Sequence, residues 1–258
     1  MISSTFAARR SEERCTLIPY VTAGYPELDS TVPVLEALVD AGADVLEVGI
    51  PFSDPLADGP TIQRASFESL KNGTTVKRVL ADVAVFRARH DTPVVLFTYL
   101  NPLLRYGIDA FVRDAVAAGA NGVLVTDLPA GSDSEVEGKL VESPLDLIRL
   151  VAPTTDPARL ADAVEGGSGF VYYISRTGVT GAKSDLREAL GEEVARLKGA
   201  LSLPVAVGFG ISTPDQAAAV AGVADGVVVG SALIQALDEG GIEGARTFLA
   251  SLRSGMDR

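Results

Sequence analysis

The sequence predicts an α/β fold in which eight strand and helix units follow one another and close into a (β/α)8 barrel. Three observations support this: short aliphatic runs recur along the whole 258-residue chain, amphipathic stretches separate them, and no break in composition divides the chain. Runs that are apolar throughout are typical of parallel strands covered on both faces. We therefore expect a single barrel domain over residues 1–258, with a short N-terminal helix.

The strand predictions follow the chain in order, and each rests on β-branched or aliphatic residues bounded by turn residues. Glycine often closes the stretch before a strand, as in DAGADVLEVG, and glycine is the usual residue at a helix stop. The eight runs are LIPYVT from Leu17, VLEVGI from Val45, VVLFTY from Val94, GVLVTD from Gly122, LDLIRLVA from Leu145, FVYYIS from Phe170, PVAVGFG from Pro204 and DGVVVGS from Asp225.

Stretches with apolar residues at three- and four-residue spacing predict the intervening helices. They include STVPVLEALVDAG, TTVKRVLADVAVFRAR, IDAFVRDAVAAG and DLREALGEEVARLKGAL. An open doubly wound sheet is the structural alternative. Such a sheet usually shows a G-x-G-x-x-G turn after its first strand, and TAGYPE stands there instead.

Composition excludes several classes of partner. A formal net charge of -12 and a pI near 4.6 oppose binding to nucleic acid or to an anionic membrane, which clustered Lys and Arg would drive. The single cysteine, Cys15, excludes an intrachain disulfide and fits a reducing compartment. No apolar stretch approaches the roughly 18 residues of a spanning helix. We expect a cytoplasmic protein.

Glu47 is the first candidate for chemistry, because it lies within the second predicted strand. Alternation along a strand turns Leu46 and Val48 toward the covering helices and turns Val45 and Glu47 toward the barrel interior. Loss of hydration there should raise the pKa of a carboxyl group, which lets it exchange protons near neutral pH. An equal alternative is a structural glutamate that is paired with a buried cation or with backbone amides.

The loop from Pro51 to Pro60 follows this strand and carries two more carboxylates, Asp54 and Asp58. Its prolines restrict the backbone and exclude regular strand pairing. The loop is long for a connection between a strand and a helix, which favours a binding or lid role over a solvated turn. Alternatively, Asp58 could simply cap the helix predicted over TIQRASFESL.

Glycine-rich segments follow the last three strands: SRTGVTGAKS, GFGIS and VGSALIQAL. Barrels commonly bind a phosphate with the loops after strands seven and eight and with a helix N-terminus, here the one that opens at Ser231, so a phosphate cup is expected. Six side chains near strand ends could wall an apolar or aromatic ligand pocket, although ordinary packing explains most of them equally well: Tyr20, Phe97, Tyr99, Leu124, Tyr172 and Phe209.

Several kinds of catalysis are poorly supported. The only histidine, His90, lies at a predicted helix end, and the sequence shows no clustered metal-ligand spacing. Neither a Ser-His-Asp triad nor a protein-held catalytic zinc or di-metal centre is therefore expected. All lysines fall on predicted helices or loops, where none can form a Schiff base inside the barrel: Lys71, Lys77, Lys139, Lys183 and Lys198. Metal-free acid and base catalysis by carboxylates on a phosphorylated substrate remains.

The segments LIPYVTAGYP, LEVGIPFSDPLADGPTIQRA, SRTGVTGA, GFGIS and GSA resemble, in this order, those of the tryptophan synthase alpha chain family. The resemblance spans nearly the whole chain. It implies a (β/α)8 TIM barrel that cleaves indole-3-glycerol phosphate to indole and glyceraldehyde 3-phosphate without cofactor or metal. It also implies that Glu47 is the general acid and base and that Asp58 accepts a hydrogen bond from the indole N–H.

The resemblance assigns the remaining site residues as well. It implies phosphate contacts at Gly181, Gly210, Gly230 and Ser231, and a contact between Thr180 and Asp58. The indole pocket would be walled by Phe97, Tyr99, Leu124, Tyr172 and Phe209, with Tyr20 beside them. In related chains the positions of Tyr20 and Phe97 often carry Phe and Leu.

The resemblance further implies an α2β2 assembly in which indole passes to a β chain that carries pyridoxal phosphate. The loop Pro51 to Pro60, the NPLLRYG segment from Asn101 and the loop from Arg176 to Lys183 would close over substrate and contact that partner. Two other readings stay open: a non-catalytic barrel that only activates a β-type enzyme, and another phosphate-binding barrel such as an indole-glycerol phosphate synthase or a sugar-phosphate isomerase.

Overall fold

The chain folds into a closed barrel of eight parallel strands arranged in chain order, as the sequence predicts. The structure is a computed structural model that describes residues 1–174, 183–208 and 210–258, with the side chains of residues 157 and 183–189 excepted. Each strand pairs with the next, and the last pairs with the first. The strands are β1 (Thr16–Thr22), β2 (Leu46–Gly49), β3 (Val94–Thr98), β4 (Gly122–Val125), β5 (Asp146–Val151), β6 (Val171–Ile174), β7 (Val205–Gly208) and β8 (Gly226–Val229).

Helices connect successive strands and cover the outside of the barrel, and the amphipathic stretches named above all fall on them. A short 3-10 turn, Pro157–Arg159, leads into the eighth helix. The helices are α1 (Ile2–Ser11), α2 (Thr31–Asp40), α3 (Pro60–Lys71), α4 (Val76–Arg87), α5 (Leu100–Tyr106), α6 (Ile108–Ala117), α7 (Ser134–Val141), α8 (Leu160–Ala163), α9 (Lys183–Ala200), α10 (Pro214–Ala221) and α11 (Ser231–Met256).

Two apolar cores lie on opposite sides of the strands. The larger one fills the space between strands and helices and contains Leu46 and Val48. The smaller one fills the barrel interior, where alternate strand residues meet; its members include Ile18, Val45 and Val95.

The N-terminal helix α1 adds Ile2 and Phe6 to the interior core. The Phe6 ring packs 5.4 Å from the ring of Phe170, which immediately precedes β6. Apolar side chains therefore close the barrel interior at the end where the strands begin. The candidate polar residues lie at the other end, where the strands finish. Among the described residues, no helix combines the length and the hydropathy needed to cross a membrane.

Candidate active site

Glu47 lies inside the barrel, as the strand alternation predicts. On β2, Leu46 and Val48 belong to the outer core and Val45 belongs to the interior core. Glu47 pairs in register with Tyr20 of β1 and with Val95 of β3, and it has 0% of its surface exposed. The carboxyl group therefore stands on top of the packed interior layer.

The surroundings of Glu47 favour its neutral form. Neither carboxyl oxygen has a hydrogen-bond partner among the described residues, which argues against the structural alternative of a carboxylate that is paired with a cation or with amides. Burial raises the pKa of Glu47 to about 8, because a charged carboxylate would lose its hydration there. The group thus carries a proton at neutral pH and can give it up near pH 8.

Asp58 lies in the loop between β2 and α3, half-buried, and its carboxylate is held by a tyrosine. Tyr99 Oη donates to Asp58 Oδ2 at 2.9 Å, and the same hydroxyl accepts the Ala57 N–H at 3.0 Å. Burial raises the pKa of Asp58 to about 6, against the opposing effect of the Tyr99 hydrogen bond. The two carboxyl groups of the site therefore have different protonation states at pH 7, which is the usual basis for separate acid and base roles.

Helix α3 does not use Asp58 as its cap, so that alternative is wrong. The N-cap residue is Gly59 and makes no side-chain cap hydrogen bond, and Pro60 occupies the first turn. Gln63 instead turns back onto the loop, where its Nε2 donates to the carbonyl oxygens of Asp58 at 3.0 Å and Pro55 at 3.3 Å. The loop backbone is thus fixed by α3, and the Asp58 carboxylate stays available to a ligand.

The hydrogen bond between Tyr99 and Asp58 is a feature of the candidate site that sequence reasoning missed. Tyr99 follows β3, is 4% exposed, and packs its ring 5.2 Å from that of Phe52. The sequence analysis placed Tyr99 only in a pocket wall. A polar group at a strand end on the catalytic face was the available signal, but it did not indicate a partner 41 residues away.

The hydroxyl groups of two tyrosines lie directly against glycines at the ends of strands near Glu47. A methyl group added to Gly49 would lie 2.2 Å from the Tyr20 hydroxyl oxygen, and one added to Gly208 would lie 2.4 Å from that of Tyr172. Burial chiefly raises the pKa of both phenols, and the nearby carboxyl groups of Asp58 and Glu47, when ionised, raise it further. Glycine at the ends of β2 and β7 therefore makes room for phenol groups close to the buried carboxyl.

Aromatic rings of neighbouring strands close this region. The rings of Tyr20 and Phe97 meet edge to face with centroids 5.2 Å apart, and the Tyr20 hydroxyl lies 3.3 Å from Thr22 Oγ1. Phe97 and Tyr172 are half-buried at the edge of the interior core, whereas Leu124 is fully buried within it. Of the predicted pocket residues, Phe209 lies outside the described residues.

One of the three predicted phosphate loops, the segment after β8, leads directly into α11. This helix begins at Ser231, as predicted, with Gly230 as an N-cap that makes no side-chain cap hydrogen bond. The first N–H groups of a helix have no intrahelical partner, so they can bind an anion. Gly210 follows β7 with a φ of 71°, a conformation that favours glycine. Thr180 and Gly181 lie outside the described residues.

Other side chains that could carry chemistry lie away from this site. Lys71, Lys139 and Lys198 are each paired with carboxylates on the helical exterior. His90 stacks on Phe86 of α4, with ring centroids 4.8 Å apart. Within the described ranges, no group of three or more His, Cys, Asp or Glu side chains is arranged to bind a metal ion.

Comparison with known proteins places this site in a family. The sequence model of the tryptophan synthase alpha chain family matches residues 6–255. The tryptophan synthase alpha chain of Citrifermentans bemidjiense is 46% identical over 261 residues, which cover 99% of this chain and 97% of that protein. The alpha chain of Geobacter sulfurreducens is 46% identical over 257 residues, which cover 98% of this chain and 97% of that protein.

Solved structures agree with the sequence matches. Tryptophan synthase subunit alpha from Legionella pneumophila superposes with a TM-score of 0.92 at 38% identity, covering 99% of this chain and 98% of that chain. Tryptophan synthase from M. tuberculosis in its aminoacrylate-bound form superposes with a TM-score of 0.90 at 41% identity, covering 99% of this chain and 98% of that one. The chain belongs to the tryptophan synthase alpha chain family.

Proposed function

We propose that Glu47 and Asp58 catalyse the reaction of this family, the retro-aldol cleavage of indole-3-glycerol phosphate to indole and glyceraldehyde 3-phosphate. As a member of the family, the chain is a carbon–carbon lyase of tryptophan biosynthesis. The observation that carries the assignment is the fully buried Glu47 carboxyl, whose pKa of about 8 leaves it protonated at neutral pH.

The reaction divides into proton transfers that a single carboxyl group can make. Glu47 gives its proton to the indole ring carbon that bears the glycerol chain, and the ring becomes a cation. The Glu47 carboxylate then takes the proton of the adjacent substrate hydroxyl, and a carbonyl forms as the carbon–carbon bond breaks. The electron pair of that bond returns to the ring, which leaves neutral indole and restores the protonated Glu47.

Asp58 stabilises the intermediate cation. Its pKa of about 6 leaves it ionised at neutral pH, so it can accept a hydrogen bond from the indole N–H. This bond strengthens as positive charge develops on the ring, which lowers the barrier. Tyr99 positions the carboxylate through Oδ2.

Substrate binding is assigned to the predicted loops. The phosphate would be bound at Gly181, Gly210, Gly230 and Ser231, chiefly by backbone amides, because an amide cradle at a helix N-terminus needs no basic side chain. The indole ring would be enclosed by Tyr20, Phe97, Tyr99, Leu124, Tyr172 and Phe209, and Thr180 would contact Asp58.

We also propose that the whole chain is one domain that works in the cytoplasm as part of an α2β2 assembly. The proton transfers above need no cofactor or metal, and the pyridoxal phosphate of the complex would belong to the β chain.

Two apolar side chains near the site are exposed. Leu56 in the loop Pro51 to Pro60 is 90% exposed, and Leu104 on α5 is 51% exposed. These exposed apolar side chains support the proposal that the loop Pro51 to Pro60 and the NPLLRYG segment contact the β chain.

Asp58→Asn tests the function with a matched control. The change removes the charge that faces the ring cation, so indole release should fall about 100-fold or more, the typical effect of losing one electrostatic stabiliser. Purified chain, alone and with a β chain, is given indole-3-glycerol phosphate and free indole is measured. Asp91→Asn changes an exposed acid just before β3, at the opposite end of the barrel from the site, and should keep wild-type turnover. If the wild-type chain stimulates the β chain but cleaves no substrate, the alternative hypothesis of a non-catalytic barrel that only activates a β-type enzyme would be supported instead.

A further inference from the structure

Tyr25, Arg64 and Asp238 form a closed polar cluster on the side of the barrel where the strands end; we call it the helix clasp. Arg64 Nη1 donates to Tyr25 Oη at 2.6 Å, and Arg64 Nη2 forms an ion pair with Asp238 Oδ2. Tyr25 Oη in turn donates to Asp238 Oδ1. The guanidinium also lies over the tyrosine ring, with Cζ 5.6 Å from its centroid. Each group has at least two partners, so the geometry is fixed.

The helix clasp joins three separate elements. Tyr25 follows β1, Arg64 lies in the second turn of α3, and Asp238 lies about two turns into α11. The side chains of Arg64 and Asp238 are 47% and 27% exposed, and an ion pair with that exposure contributes little to stability. Its specific geometry is therefore better explained by orientation of α3 against α11 than by stabilisation of the fold.

Both helices lead directly to the proposed site. Helix α3 holds the Asp58 loop through the Gln63 amide, one residue before Arg64. Helix α11 begins at Ser231, where the phosphate is assigned. Between them, Ile62 of α3 lies so close to the start of α11 that a methyl group on Gly230 would be 3.4 Å from Ile62 Cδ1.

We propose that the helix clasp positions Asp58 relative to the phosphate seat at Gly230 and Ser231, an inference that rests on the function proposed above. The distance between the phosphate and the indole N–H of one substrate molecule is limited. Asp58 can therefore bond to the indole N–H only if it lies at the right distance from the bound phosphate. A misplacement of about 1 Å in such a site can lower the rate about 100-fold. Tyr25, Arg64 and Asp238 are positioning residues that act through α3 and α11.

Two variants, Arg64→Gln and Asp238→Asn, test the proposal in the full chain assembled with a β chain. Indole release is measured from indole-3-glycerol phosphate and from the same indole glycerol without phosphate. We expect kcat on the phosphorylated substrate to fall about 10- to 100-fold, with KM changed less than about twofold. The rate on the phosphate-free compound should stay within about twofold of wild type, because that compound is not anchored at the phosphate seat. The double variant should be no slower than either single variant, since both break one cluster.

Arg246→Gln is the matched control, because Arg246 pairs with Glu243 on the exposed surface of α11 beyond its kink at Gly241 and lies outside the cluster. It should leave both rates unchanged. Wild-type kcat in Arg64→Gln and Asp238→Asn would overturn the proposal, and so would an equal loss on both substrates, which is the pattern of a general folding defect. A wild-type chain that releases no indole from indole-3-glycerol phosphate would overturn the proposed function itself, so the two failures are distinct.

Discussion

Glu47→Gln is expected to lower kcat for indole release about a thousandfold, within the range observed for loss of a general acid and base. Glutamine has nearly the same size and can stay in the barrel interior, but it can neither donate the proton to the indole ring nor accept the proton of the substrate hydroxyl. The loss should appear in kcat, with KM for indole-3-glycerol phosphate little changed. Initial rates of indole release over a substrate series measure both parameters.

The same substitution at an exposed position serves as the control. Glu68→Gln on α3 changes a glutamate that makes only a weak ion pair with Lys71 on the surface, and it should leave kcat unaltered. A Glu47→Gln chain that turns over at a wild-type rate would remove Glu47 from the chemistry altogether.

Glu47→Gln is also expected to stabilise the folded chain, by about 3 kcal/mol at pH 7. The folded pKa of about 8 lies above the ordinary value of 4.5, so the folded state binds more protons than the unfolded state between these values. The wild type therefore loses stability as pH rises from about 4.5 to about 8, whereas glutamine does not titrate. Urea unfolding of both chains from pH 5 to 9 should show a difference that grows up to pH 8 and is constant above it.

Glu137→Gln gives a control of opposite sign. Glu137 is also buried, but it is paired with Arg149 at 2.6 Å, and the Arg149 hydrogen bond and backbone amides outweigh burial and lower its pKa. The ionised Glu137 carboxylate therefore stabilises the fold fully above the ordinary glutamate pKa of 4.5, and this stabilisation is lost only as the pH falls below that value. Glu137→Gln should destabilise the chain by about 3 kcal/mol or more, because it leaves Arg149 buried without a counter-charge. That loss should not change between pH 5 and 9.

The Glu47 prediction has its own contrary result. A stability difference between Glu47→Gln and wild type that does not change with pH would show that Glu47 is not protonated in the folded chain.

Local sequence patterns predicted the features that depend on local geometry. The barrel follows from the repeated apolar runs, and the inward position of Glu47 follows from strand alternation, because a residue's face on a strand is set by its neighbours. The start of α11 at Ser231 follows from the glycine that precedes it. The family resemblance supplied the roles of Glu47 and Asp58, which periodicity alone could not assign.

Contacts between distant segments could not be predicted in this way. The hydrogen bond from Tyr99 to Asp58 joins the end of β3 to the loop between β2 and α3, and the helix clasp joins Arg64 to Asp238 across 174 positions. Asp58 next to Gly59 and Pro60 resembles a helix cap locally, yet its carboxylate bonds to Tyr99. Helix α5 has only seven residues, which is too short for a helical period to be recognised.

The pH dependence of kcat/KM for indole release tests the central claim most directly, the claim that the reacting form of Glu47 is its buried, protonated carboxyl. Wild-type chain is assayed with indole-3-glycerol phosphate from pH 5 to 10. The substrate phosphate, with a second pKa of about 6, is mostly in its doubly charged form above pH 7, so a fall in the rate with a midpoint near pH 8 reports the enzyme. The account predicts that kcat/KM declines above pH 7 with a midpoint near 8, the pKa of about 8 that burial gives Glu47. A kcat/KM that stays constant or rises between pH 7 and 10 would contradict it.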